Sequence, residues 1–141
     1  MLKIIGYVSS AAVELSADRL SEILKVAVDH NRAAGITGIM FYDEGNIIQF
    51  IEGRDEAVSA LYAKICRDRR HKGIIELMNE PIAERVFPDW SMGLKYVSQL
   101  PPDQQAQCRD LMGLKLAPDE SENELHQVVK VVLDSFRRSI R

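Results

Sequence analysis

Ile36-Thr37-Gly38-Ile39-Met40-Phe41-Tyr42-Asp43-Glu44-Gly45-Asn46-Ile47-Ile48-Gln49-Phe50-Ile51-Glu52 is the stretch that decides the fold. Ile36 to Tyr42 and Ile47 to Glu52 are rich in β-branched and aromatic residues, as strands are. Asp43-Glu44-Gly45-Asn46 between them supplies turn chemistry, so the two runs are predicted to form a hairpin. Upstream, Leu2 to Val8 reads as a strand. Ser16 and Asp18 suit an N-cap and a first-turn acid. Leu20, Ile23, Leu24, Ala27, Val28 and Asn31 follow at helical spacing, and Gly35 suits the stop. Downstream, a second helix is predicted from about Asp55 to Asp68, with Val58, Leu61, Tyr62 and Ile65 as its buried stripe. Gly73 to Met78 reads as a fourth strand, and Pro81 to Asp89 as an irregular connection. Met92 to Val97 reads as a short fifth strand.

This order predicts an α+β, ferredoxin-like βαββαββ sheet with two helices on one face. Pro101-Pro102 opens a C-terminal helical extension, so the chain divides into 1–97 and 98–141. The extension is read as a short helix from about Asp103 to Met112, then a second starting at Ser121, which forms a capping box with Glu124. That amphipathic pair could cover the open face of the sheet or a partner chain.

With 141 residues the chain is long enough to bury a real core. Its 46% hydrophobic and 28% charged content is that of a globular protein. A net charge of −3 without a long basic run argues against nucleic-acid binding. Cys66 and Cys108 lack CxxC spacing, so reduced thiols are expected. No basic leader precedes an apolar core, and no apolar run reaches the roughly 20 residues of a membrane helix. A soluble, cytoplasmic protein with no membrane partner is the expectation. His30, His71 and His126 are scattered, so no metal site is expected.

Two polar residues stand where the pattern asks for apolar ones. Gln49 shares a strand face with Ile47 and Ile51, and Asn31 continues the stripe of the first helix. Tyr7 lies beside Ile5 on its strand. A buried amide left unpaired costs about 1–3 kcal/mol, so both amides need partners. Taken singly, each would ordinarily bond backbone within a core. Together they suggest a polar planar ligand held among apolar walls. Asp68-Arg69-Arg70-His71 would close the second helix, either as a solvated end or as a phosphate or ribose contact. Trp90 reads most simply as an aromatic anchor.

Tyr7-Val8-Ser9, Asn31 with Gly35-Ile36-Thr37-Gly38, Gln49-Phe50-Ile51-Glu52-Gly53, Asp68-Arg69-Arg70-His71 and Phe87-Pro88-Asp89-Trp90-Ser91-Met92 together resemble the BLUF domain, in family order, over about residues 1–97. The resemblance implies a short, stand-alone photosensor holding FAD noncovalently between its two helices, with FMN or riboflavin as further flavins the site could take. It implies that Tyr7 is the electron and proton donor and Gln49 the rearranging amide beside the flavin N5/O4 edge. Asn31 would bond the O4/N3 edge, with His30 and Arg32 beside it among the cofactor-binding residues. Ile23, Met40, Ile47 and Ile65 would be apolar neighbours of the ring, and Asp68, Arg70 and His71 would lie near the ribityl-phosphate arm. Trp90 and Met92 would relay the signal to an unknown protein effector, with homo-oligomerisation open and no turnover expected. Two other readings stand beside this one: a light-independent adaptor of the same fold, and a small acylphosphatase-like hydrolase. The latter lacks a Gly-rich anion loop, for which Ser9-Ser10-Ala11-Ala12 is a poor substitute.

Overall fold

The computed structural model of the chain describes residues 1–11, 17–68, 71–88, 93–113 and 134. The hairpin predicted from the opening stretch is its centre. Strands β2 (Thr37–Asp43) and β3 (Asn46–Arg54) pair antiparallel from Thr37↔Glu52 to Asp43↔Asn46. The two loop residues, Glu44 (φ 47°) and Gly45 (φ 89°), both have positive φ. That is the turn geometry whose twist matches that of the strands it joins.

Strand β1 (Leu2–Ala11) pairs antiparallel with β3 on one side and with β4 (His71–Ile82) on the other. Strand β5 (Gly93–Tyr96) joins β2 in parallel. The five-stranded order is β4-β1-β3-β2-β5, the ferredoxin-like arrangement with one strand added at an edge. Helix α1 (Ala17–Ala34) precedes the hairpin and α2 (Asp55–Arg67) follows it. The end of α1 is fixed locally. Ile36 N–H donates to the Asn31 carbonyl (2.8 Å) and Gly35 N–H to that of Arg32 (3.3 Å), with Gly35 at φ 70°. This is the paired closure in which a glycine takes the left-handed conformation and satisfies the last carbonyls.

Several boundaries differ from expectation, β1 among them, which runs to Ala11 rather than Val8. The Asp68–His71 run closes α2 only through its first residue, Asp68, whose backbone N–H donates to the Ile65 carbonyl at 3.1 Å. The helix ends at Arg67, Asp68 is extended, and His71 opens β4; Arg69 and Arg70 lie outside the described residues. Strand β4 is twice the expected length and takes in Pro81, which pairs with Lys3. Proline is tolerated there because β4 is an edge strand. The irregular connection therefore begins at Ala83, and shifts in register at Gly6/Tyr7 and Val8/Ser10 let β4 follow β1 for its whole length. The fifth strand is Gly93–Tyr96, and Val97–Gln99 forms a single 3-10 turn. Ser16, Trp90 and Met92 lie outside the described residues, as does the helix expected from Ser121 apart from Asp134, which is helical.

Alternation along the strands sorts the core into two layers. Ile5, Met40, Tyr42, Ile47 and Ile51 face Leu20 and Leu24 of α1 and Val58 of α2. Ile4, Val8, Ile39, Phe41, Ile48 and Phe50 face the other way and pack with Phe87, Val97, Cys108, Leu111 and Met112. The last three belong to α3 (Pro102–Gly113), which has a proline at its first position, where the missing N–H costs nothing. The first helix of the C-terminal extension thus covers the second face of the sheet, one of its two expected roles. Arg109 Nε also meets Asp43 Oδ2 of the hairpin at 3.2 Å.

Candidate functional site

One row of residues crosses the helix-covered face. Tyr7 of β1 is the Cα partner of Gln49 of β3, which is in turn the partner of Met40 of β2 and, through it, of Leu94 of β5. Tyr7 is fully buried and Gln49 is 6% exposed. The Tyr7 hydroxyl donates a hydrogen bond to Oε1 of Gln49. Asn31 reaches the same layer from α1 and is 2% exposed. The three residues singled out by their polarity in apolar positions are therefore all buried, and two of them are bonded to each other.

The walls around them are apolar. Met40 and Ile47 are buried in the same layer, and Ile65 of α2 packs against it half-buried. Ile23 of α1 is also half-buried. The backbone of α2 comes close to β1, β3 and β4, whereas among the described residues α1 approaches no strand as closely. The Tyr62 ring, from α2, stands 5.8 Å centroid to centroid from that of Tyr7. Burial raises the Tyr7 phenol well above its ordinary value, and Tyr62, Cys66 and Asp68 add smaller pushes in the same direction. Tyr62 is raised too, again chiefly by burial. Tyr7 therefore keeps its proton, aimed at Gln49, throughout the physiological range.

The remaining expected residues fall elsewhere or outside the described set. His30 and Arg32 flank Asn31 in sequence, but each helical step turns about 100°, and both are exposed rather than buried with it. Asp68 is half-buried just past α2. His71 is placed in β4, while Arg70, Trp90 and Met92 are outside the described residues. Sequence reasoning missed Glu52 and Arg85. Glu52 is a fully buried carboxylate on the opposite face to Gln49, beside Ile48 and Phe50. The signal that exposed Gln49, a polar residue in an apolar alternation, was present for Glu52 as well. Among the described residues there is no cluster of metal-ligating side chains and no helix long and apolar enough to cross a membrane.

A flavin suits this donor set. An isoalloxazine ring has apolar faces and a hydrogen-bonding edge, and primary amides both donate and accept, so Asn31 and Gln49 can match that edge while Met40, Ile23, Ile47 and Ile65 meet the faces. Comparison with known proteins agrees. Residues 2–93 match the family model of BLUF, sensors of blue-light using FAD. The chain belongs to this family of FAD-binding blue-light photoreceptors. It is 40% identical over 81 residues to photoactivated adenylate cyclase subunit alpha of Euglena gracilis, covering 57% of this chain and 8% of that protein. It is 30% identical over 94 residues to the blue light- and temperature-regulated antirepressor BluF of Escherichia coli K12, covering 67% of this chain and 23% of that one. The chain thus spans less than a quarter of the length of either relative. Among solved structures, the dark-state BLUF protein BlrB superposes with a TM-score of 0.70 at 32% identity, over 92% of this chain and 96% of its own. BlsA in its ground state gives 0.74 at 26%, over 94% and 88%.

Proposed function

We propose that this chain is a light-driven switch in which Tyr7 supplies an electron and a proton, Gln49 rearranges, and Asn31 fixes the ring edge. The observation that carries the reading is the buried Tyr7–Gln49 hydrogen bond on a largely apolar face of the sheet. When bound, FAD would supply absorption of blue light and, in its excited state, a strong oxidant. Loss of an electron makes a phenol far more acidic, and the Tyr7 proton has a prepared path along its bond to Oε1 of Gln49. Return of the electron and proton restores Tyr7 and leaves the Gln49 amide rotated or tautomerised. Buried apolar neighbours keep water from taking the proton instead.

Ile23, Met40, Ile47 and Ile65 would cover the ring faces, and Asp68, Arg70 and His71 the ribityl-phosphate arm. His30 and Arg32, being exposed, would act only at the mouth of the site. Trp90, Met92 and the chain after residue 97 would carry the change to a protein effector, with a second copy of the chain as an alternative partner. The domain is read as a photosensor without turnover of its own, working in the cytoplasm. The test is cofactor retention. The purified protein should be yellow and release FAD on heating, and a colourless protein that takes up no added FAD would overturn the reading.

A further inference from the structure

The flavin site has no use for the buried carboxylate of Glu52. It lies on β3, three residues beyond Gln49 and on the opposite face, and is 0% exposed. A charge so placed demands several donors, and they are present. Oε1 accepts from the backbone N–H of Phe87 at 2.6 Å and from Thr37 Oγ1 at 3.0 Å, and Oε2 accepts from the N–H of Val86 at 2.7 Å. Arg85 completes the knot. Its Nη1 donates to Thr37 Oγ1 at 2.9 Å and to the Glu52 carbonyl at 3.4 Å, and its Nη2 donates to the Gly35 carbonyl at 2.7 Å.

Each strand of this knot leads to a different part of the molecule. Gly35 and Ile36 close α1 by bonding the carbonyls of Arg32 and Asn31. They sit directly on the end of β3, where a Cβ at Gly53 would lie 2.9 Å from the Gly35 oxygen. Glu52 continues the strand that carries Gln49. Phe87 is packed in the opposite layer with Val97 and with Leu111 and Met112 of α3. One set of directional, charge-assisted bonds therefore joins the ends of both amide-bearing elements to the layer under α3.

We propose that Glu52 and Arg85 are positioning residues that couple the Gln49/Asn31 face of the sheet to Phe87 and α3. This rests on the photosensor reading above. A shift of β3 or of the end of α1 is handed through the knot to the backbone of residues 85–87 and so to the packing of α3. A layer as tightly filled as this one changes by discrete repacking rather than by gradual yielding.

The test uses the full chain with FAD bound, in wild type, Glu52→Gln and Arg85→Ala. Glu52→Gln keeps the volume but turns one acceptor into a donor facing a donor. Arg85→Ala spares the Glu52 bonds to the loop and cuts the link to Gly35 and Thr37. Light-minus-dark absorption and light-minus-dark hydrogen exchange over residues 93–113 are read on each. Both variants should keep the red shift and lose the exchange difference. A folded variant with the wild-type exchange difference would reduce the knot to a structural tie and overturn the proposal. Should Glu52→Gln fail to fold, Arg85→Ala decides alone. A wild type that shifts without any exchange change at 93–113 would overturn the coupling and leave the photosensor standing. A wild type without a shift would remove the photosensor reading and the coupling with it.

Discussion

Tyr7 and Gln49 are Cα partners across the β1–β3 ladder, and the phenol of one donates to the side-chain oxygen of the other. Replacing the donor isolates the proton-transfer role. Tyr7→Phe keeps the ring's packing and removes the hydroxyl, at a stability cost of about 1 kcal/mol. The variant should bind flavin and stay yellow but lose the light-induced red shift. A shift of normal size would exclude Tyr7 as the essential donor.

Gln49→Leu separates binding from switching. Gln49 is buried with Ile47 and Ile51 on the same strand face, so leucine fits the surroundings. The variant should retain flavin and show no red shift under blue light, read by absorption. Persistence of the shift would discard the amide switch.

Alkaline pH should unfold the domain through two buried acids. Burial raises Tyr7, and it pushes the Cys108 thiol up to about 12. Both groups hold their protons more tightly folded than unfolded. Their contribution to stability is complete below the unfolded values, roughly 8.5 for a thiol and roughly 10 for a phenol. It is then lost as pH rises through and beyond them. Urea midpoints measured from neutral pH to about 11 should fall, less steeply in Tyr7→Phe. A level midpoint over that span would contradict the buried placement of both groups.

How much of this was legible in the sequence varies with the kind of signal. The hairpin was readable because Glu44-Gly45 dictates its turn, and α1 because Gly35 marks its stop. Asn31 and Gln49 stood out because each breaks an apolar period. Strand β4 was read short because Pro81 looks like a breaker, and only the sheet order shows that it lies on an edge. Position in the chain shows that the Asp68–His71 run follows the second helix, and Asp68 does cap it, but only the pairing of His71 with Ala11 shows where β4 begins. Arg85 could not be assigned beforehand, since its partners Gly35, Thr37 and Glu52 come from segments remote in sequence.

Gly38 is a packing requirement. A Cβ there would lie 2.0 Å from the carbonyl oxygen of Phe50, which is ladder backbone and cannot swing aside. Gly38→Ala should force β2 and β3 apart and cost about 1–3 kcal/mol or more. Urea unfolding measures it, and an unchanged midpoint would refute the close approach.

Leu111 tests whether α3 is integral to the domain. Its side chain is fully buried in the layer with Phe87 and Val97. Leu111→Ala should lower unfolding free energy by about 2–5 kcal/mol. A loss below about 0.5 kcal/mol, the range of surface substitutions, would mean that α3 does not seal that face.

The central claim, that a buried phenol and amide on this sheet drive a flavin switch, is tested most directly by the absorption spectrum of the purified wild-type protein before, during and after blue illumination. The flavin band should move to longer wavelength in the light and return in the dark without loss of intensity. A flavin band that stays in place, or that only bleaches, would contradict it.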